Sequence, residues 1–124
     1  MPSSTPTVDL RNNVVVNAST PNGTGFAIAY RRSSTTLTSY AAASNNNDFY
    51  AGTPSAANLT FFTTAQTQFK QLGEDKTFVS PRDGGSVSEN PPFVNVTTAP
   101  YDLHLSTSIA TELEIWWSSW SWHY

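Results

Sequence analysis

The chain has no cysteine. Disulfides, thiolate metal centres and cysteine nucleophiles are therefore excluded. Charge is scarce as well. Asp, Glu, Lys and Arg make up 12% of the 124 residues, about half the ~25% usual for soluble domains. Lysine occurs only at Lys70 and Lys76, and Arg31 and Arg32 are the only adjacent cations. With a net charge of −3, no basic stripe is available to track a phosphate backbone, so nucleic acid is not expected as a partner. No apolar run approaches the ~20 residues that a membrane-spanning helix needs. MPSSTPTVDL opens without a basic segment followed by an apolar one, so no signal peptide is expected in this chain.

Ser, Thr and Asn take the place of charge, and these residues suit strand faces, turns and side-chain ladders. Short runs rich in Val, Ile, Phe, Tyr and Thr recur between Asn-, Gly- and Pro-rich gaps. They are VDL (8–10), VVVN (14–17), FAIAY (26–30), LTSY (37–40), DFY (48–50), NLTFF (58–62), FVNV (93–96) and DLHL (102–105). Each has the composition and bounds of a strand. PNGTG (21–25) and AGTPS (51–55) read as turns. The fold class expected is all-β.

Two segments look alike. RNNVVVN (11–17) and NNNDFYAG (45–52) each set paired Asn before a β-rich run, the kind of repetition that marks stacked repeats. In stacked coils, Asn12, Asn13, Asn46 and Asn47 would form a ladder of side-chain amides. Otherwise they are ordinary turn residues. One stretch breaks the β pattern. In TTAQTQFKQLG, Ala65, Phe69 and Leu72 fall on one helical face, Thr63 and Gln66 fit a capping box, and Gly73 sits at a C-terminal cap. This predicts one short helix near 63–72. The charged, Gly- and Pro-rich run 73–92 reads as loop, with DGGS (83–86) a turn within it.

The run SVSENPPFVN (86–95) followed by YDLHLSTSIATELE (101–114) resembles the closing motif of bacterial parallel β-helix surface proteins, of the choice-of-anchor Q or pectin-lyase-like kind. RNNVVVN, SNNNDFYAG and TAQTQFKQLG are similar to the same group, so the resemblance extends over roughly residues 8–114. It implies a right-handed parallel β-helix, a solenoid, over 1–114. It also implies an extracellular or cell-surface location, as part of a longer secreted bacterial protein.

Residues 115–124 read IWWSSWSWHY and hold all four tryptophans, Trp116, Trp117, Trp120 and Trp122. The group that the chain resembles continues here with a Glu-Ser-Gly-Gly-like turn. A Trp codon read one base later always begins a Gly codon, so the tail is expected to be a frameshift product. Two other readings stand beside it. The alternation of Trp120, Trp122 and Tyr124 would place them on one strand face, as a cap on an open solenoid end. Alternatively, Trp116, Trp117, Trp120, Trp122 and Tyr124 form a ligand or association patch.

No constellation for chemistry emerges, and no side chain is assigned a catalytic, cofactor-binding or metal-binding role. Lyases on this fold combine clustered acids, which hold Ca²⁺, with a basic side chain, and Ca²⁺ takes about six to eight oxygens. Glu74, Asp75 and Asp83 are the nearest approach to a weak Ca²⁺ site. Asp102 and His104 share one face of a strand, which is either a pair poised for proton transfer or a surface feature of the motif, and the second is expected. No Gly-x-Ser-x-Gly elbow is present.

The function expected is a non-catalytic structural or adhesive solenoid segment. Its partners would be glycans, or other copies of itself meeting end to end or strand edge to strand edge. The alternatives are a segment of a polysaccharide lyase or hydrolase, and a truncated product with no function of its own.

Overall fold

The computed structural model describes residues 6–63, 68–69 and 72–113. Strands predominate, with one short helix. The order is β1 (Val14–Val16), β2 (Ala27–Arg32), β3 (Asp48–Tyr50), β4 (Asn58–Thr63), β5 (Gln68–Phe69), α1 (Leu72–Val79), β6 (Phe93–Asn95) and β7 (Asp102–Leu105). The sheets are small. β1 pairs with β3, β2 with β4 and β5, and β6 with β7. No closed coil of sheet is present among the described residues. The chain divides into two compact units between Ser88 and Glu89, and the predicted boundary after residue 114 lies outside the described residues.

In the first unit the long-range pairings are parallel. Val14, Val15 and Val16 lie beside Asp48, Phe49 and Tyr50. β2 and β4 run beside each other from Ala27 opposite Asn58 to Arg32 opposite Thr63. Isolated parallel bridges join Val8 to Tyr40, Arg11 to Asn45, and Asp48 to Val87. The chain therefore returns to its own path, and β1, β3 and the segment around Val87 form three successive rungs. A parallel pair needs a long connection. Here it is supplied by the turns at 21–25 and 51–55 together with β2 and β4.

The paired asparagines account for the local geometry at the start of each rung. Asn12 and Asn46 both adopt φ 57°, in the left-handed region that Asn tolerates better than most residues with a Cβ. The first Asn of each pair turns the chain, and the second enters the rung. Gly52, in the AGTPS turn, has φ +85°, and a Cβ there would lie 2.3 Å from Asn58 Nδ2. The left-handed conformation at that turn favours glycine, and the Asn58 side chain would have to move to admit a Cβ.

The interior is aromatic and polar together. Tyr40, Phe61 and Val79 form the buried cluster, with Leu10, Tyr30, Leu37, Phe69 and Phe78 packed against it. Tyr30 stacks on Phe49 at 5.7 Å and 15° and meets Phe61 edge-on at 5.5 Å, geometries that favour aromatic pairs. Arg32 and Arg82 each lie over the Tyr40 ring, at 5.3 and 5.6 Å. Arg82 also donates to the carbonyls of Tyr40 at 2.7 Å and Leu37 at 3.2 Å, tying the post-helix turn to the segment 37–40.

The helix predicted near 63–72 is displaced. Thr63 ends β4, Gln68–Phe69 pairs antiparallel with Phe61 and Phe62, and the helix runs from Leu72 to Val79. Pairing β4's far edge and packing Phe69 on Phe61, at 5.9 Å, outweigh the helical spacing of Ala65, Phe69 and Leu72. Gly73, read as a C-terminal cap, lies in the helix's first turn instead. Glu74 complements the amino-terminal end of the helix dipole, and Pro81 follows its end, where it cannot continue a helix. The run read as loop therefore holds the helix and the third rung. Residues 64–67, 70 and 71 lie outside the described residues.

In the second unit, β6 and β7 pair antiparallel, Phe93 opposite Leu105 and Asn95 opposite Asp102, with an irregularity between. The Asn95 amide donates to the carbonyls of Thr98 and Pro100 at 2.8 and 3.0 Å, closing the connecting loop. Val94, Val96, Tyr101 and Leu103 are exposed.

Candidate functional site

Among the described residues, the most elaborate polar arrangement crosses the three rungs of the first unit. Asn47 is fully buried. Its Oδ1 accepts from the Asn13 backbone at 3.1 Å and from Asn13 Nδ2 at 3.0 Å, residues 34 positions apart. Its Nδ2 donates to the Leu10 carbonyl and to Asp83 Oδ1, both at 3.0 Å. Its backbone N–H donates to Ser86 Oγ at 2.9 Å. Every polar atom of the side chain thus has partners, as a buried amide requires. Ser86 stands in the third rung where Asn13 and Asn47 stand in the first two, and its hydroxyl donates to Asp83 Oδ1 at 2.7 Å. Of the four asparagines singled out, Asn13 and Asn47 are joined directly, while Asn12 and Asn46 hold the turns before them.

Asp83 is the hub on the third-rung side. Its Oδ1 receives Asn47 and Ser86, and its Oδ2 receives the Tyr40 hydroxyl. Burial first, and the Asp83 carboxylate second, push the Tyr40 phenol well above its ordinary value. The Leu10 amide is met by Ser44 Oγ at 3.0 Å, and the Asn45 side chain accepts from the Gly85 amide at 2.7 Å. Tyr40, Ser44, Asp83 and Ser86 were not legible as members of this system. Ser, Asp and Tyr become distinctive only once a fold has buried them, and the one available signal was the position of DGGS ahead of a Val-containing run.

Among the described residues, β1 is bonded on one side only. The Asp48 amide donates to the Asn13 carbonyl and the Asn17 amide to the Tyr50 carbonyl. In a parallel pair this directs the N–H and C=O groups of Val14 and Val16 away from β3. No described residue pairs with that edge as a strand. Val14 is 47% exposed, and Val8 and Phe26 are exposed too. The nearby ion pair of Asp9 and Arg11, at 2.7 Å, lies in solvent.

The other candidates are not assembled into a site. Glu74 is exposed, whereas Asp75 and Asp83 are buried, and Asp83 is already occupied by three donors. Among the described residues no three His, Asp or Glu side chains come together as metal ligands. His104 Nδ1 lies 2.6 Å from Asp102 Oδ1. Hydrogen bonds from the His104 backbone and then its ring hold the Asp102 carboxyl below its usual value. The His104 side chain is 91% exposed, so the pair faces bulk water, where no substrate is oriented and no charge is sheltered. Trp116, Trp117, Trp120, Trp122 and Tyr124 lie outside the described residues. No helix among the described residues is long and apolar enough to cross a membrane. Comparison of the chain with protein-family models, with curated proteins and with solved structures found no match.

Proposed function

We propose that this chain is a non-catalytic structural segment of a right-handed parallel β-helix, of the bacterial cell-surface kind that its sequence resembles, and that it associates with further copies of itself through the open edge of β1. The carrying observation is the in-register parallel stack of Val14–Val16, Asp48–Tyr50 and Val87, threaded by Asn13, Asn47 and Ser86. A stack of this kind buries polar groups only between rungs, so each rung is a template for the next. Among the described residues no strand covers the outermost template. Val14–Val16 contains no proline or lysine, the usual means of blunting an edge. A second copy is the natural occupant, because it supplies a rung that already docks in this register within one chain.

Light scattering on the full chain as it leaves a sizing column, over a hundredfold range of concentration, tests this reading. Association that grows with concentration and is abolished by Val14→Lys supports it. A chain that stays monomeric throughout, or association that is unaffected by Val14→Lys but lost when residues 115–124 are removed, refutes the edge as the interface.

A further inference from the structure

We propose that Asp75, whose buried carboxyl has an unpartnered oxygen in the first turn of α1, is a protonation latch: neutral, it seats the helix against β4 and β5, and acquiring a charge it releases the helix. This stands apart from the proposed function, since it concerns the interior of one chain.

Asp75 lies in the first turn of α1 and is 3% exposed. Its Oδ1 is fully buried and has no hydrogen-bond partner among the described residues. An ionised carboxylate with an unbonded oxygen in such a place is costly. Thr60, within hydrogen-bonding reach, and the Lys76 backbone amide favour the charged form, but burial outweighs both and favours the neutral one.

The charges around Asp75 act in the same direction. Asp83, from the turn after α1, disfavours a second negative charge, while Lys76, on α1 itself, offsets this in part. β4 and β5, the strands on which α1 packs, contain no ionisable side chain in Asn58–Thr63 or Gln68–Phe69. Three donors, from Tyr40, Asn47 and Ser86, converge on Asp83, and none of them is shared with Asp75. Burial, and then Asp83, push the Asp75 carboxyl up to about 7.

The latch has a defined mechanical consequence. α1 is held by Phe78 against Phe61 and Phe69, at 5.9 and 5.3 Å, and by buried Val79. Charging Asp75 favours any opening that lets water reach the carboxylate, and the helix is the element that carries it. The rungs at β1 and β3 do not depend on Asp75 and should stay closed.

The test is an NMR titration of the aspartate carboxyl carbons in the full chain, with amide hydrogen exchange measured at pH 6 and 8.5 and corrected for intrinsic rates. The expected result is an Asp75 titration near neutrality and a loss of about tenfold or more in protection across α1, with little change at Val15 and Phe49. In Asp75→Asn the protection of α1 should not change with pH. An Asp75 midpoint in the ordinary carboxylate range overturns the proposal. So does a loss of α1 protection that persists in Asp75→Asn. The titration on the unaltered chain decides the matter even if that variant does not fold.

Discussion

Removing the Asn47 side chain should strongly destabilise the first unit. Asn47→Ala deletes four side-chain hydrogen bonds, two to Asn13, one to Leu10 and one to Asp83. Neutral bonds are worth ~0.5–1.5 kcal/mol net, and a bond to a charged group ~1.5–3 kcal/mol. Asn13 and Leu10 are half-buried, so water recovers part of the loss. The expected cost is about 3–5 kcal/mol, a large share of the ~5–15 kcal/mol that holds a domain folded. Asn47→Asp is the sharper probe. The introduced carboxyl keeps the acceptor for Asn13 but sets an oxygen against the Leu10 carbonyl and Asp83, where Nδ2 stood 3.0 Å from each. Its folded-state pKa is raised, so its stability is greatest at low pH and is lost as pH rises through that value. Urea unfolding followed by far-ultraviolet circular dichroism at pH 4 and pH 7 measures both variants. A loss below ~1 kcal/mol for Asn47→Ala with an unchanged m-value would refute the claim that the inter-rung bonds stabilise the stack.

Three further outcomes are expected. Gly52→Ala should cost about 1–3 kcal/mol in the same unfolding assay, because φ is +85° and the new Cβ would press on Asn58. Because the Asp75 carboxyl is raised to about 7, its contribution to stability is full below pH ~4 and lost as pH rises through 7. Unaltered chain should therefore lose of the order of 2–4 kcal/mol over that window relative to Asp75→Asn, and parallel pH profiles would contradict this. Incubation with a polyuronate and Ca²⁺ should yield no unsaturated products at 235 nm. Accumulation of such products would revive the lyase alternative and displace the structural reading.

The β-elements were legible where a run is short, bounded and rich in strand formers. β3 and β7 fall on the DFY and DLHL runs, and β1, β2, β4 and β6 lie on or within a residue or two of theirs. The similarity of RNNVVVN to NNNDFYAG is reflected in the parallel register of Val14 on Asp48. What escaped was set by tertiary pairing. The helical spacing around Phe69 yields to the edge of β4, and a helix of eight residues sits in a charged run that lacks a clear apolar stripe. The third rung escaped because GGSVS carries one strand former between small residues. Its placement depends on the Val87 amide and carbonyl meeting Asn47 and Phe49, at 2.7 and 3.0 Å, bonds with no signature in residue type.

The balance between polar and apolar burial explains why register matters so much in this small stack. Buried Ser44, Asn47, Asp48, Thr60, Thr63, Asp75, Asp83 and Ser86 stand beside Ala27, Tyr40, Phe49, Ala51, Leu59, Phe61 and Val79. An apolar core tolerates small slips at modest cost, whereas a buried amide displaced by one residue loses every partner at once and turns its side chain to the opposite face. Asn47 therefore acts as a register pin between the first and second rungs, and Ser86 between the second and third. The same logic governs association at β1. A second copy that lays a rung against Val14 and Val16 meets backbone groups in the pattern that Asp48 and Tyr50 present to β1. It gains the full set of bonds only in one register, with a small polar side chain beside Asn13. Substituting Asn13 by Ala should accordingly loosen the register of association without closing the edge. The result would be assemblies of mixed size, where Val14→Lys leaves monomer.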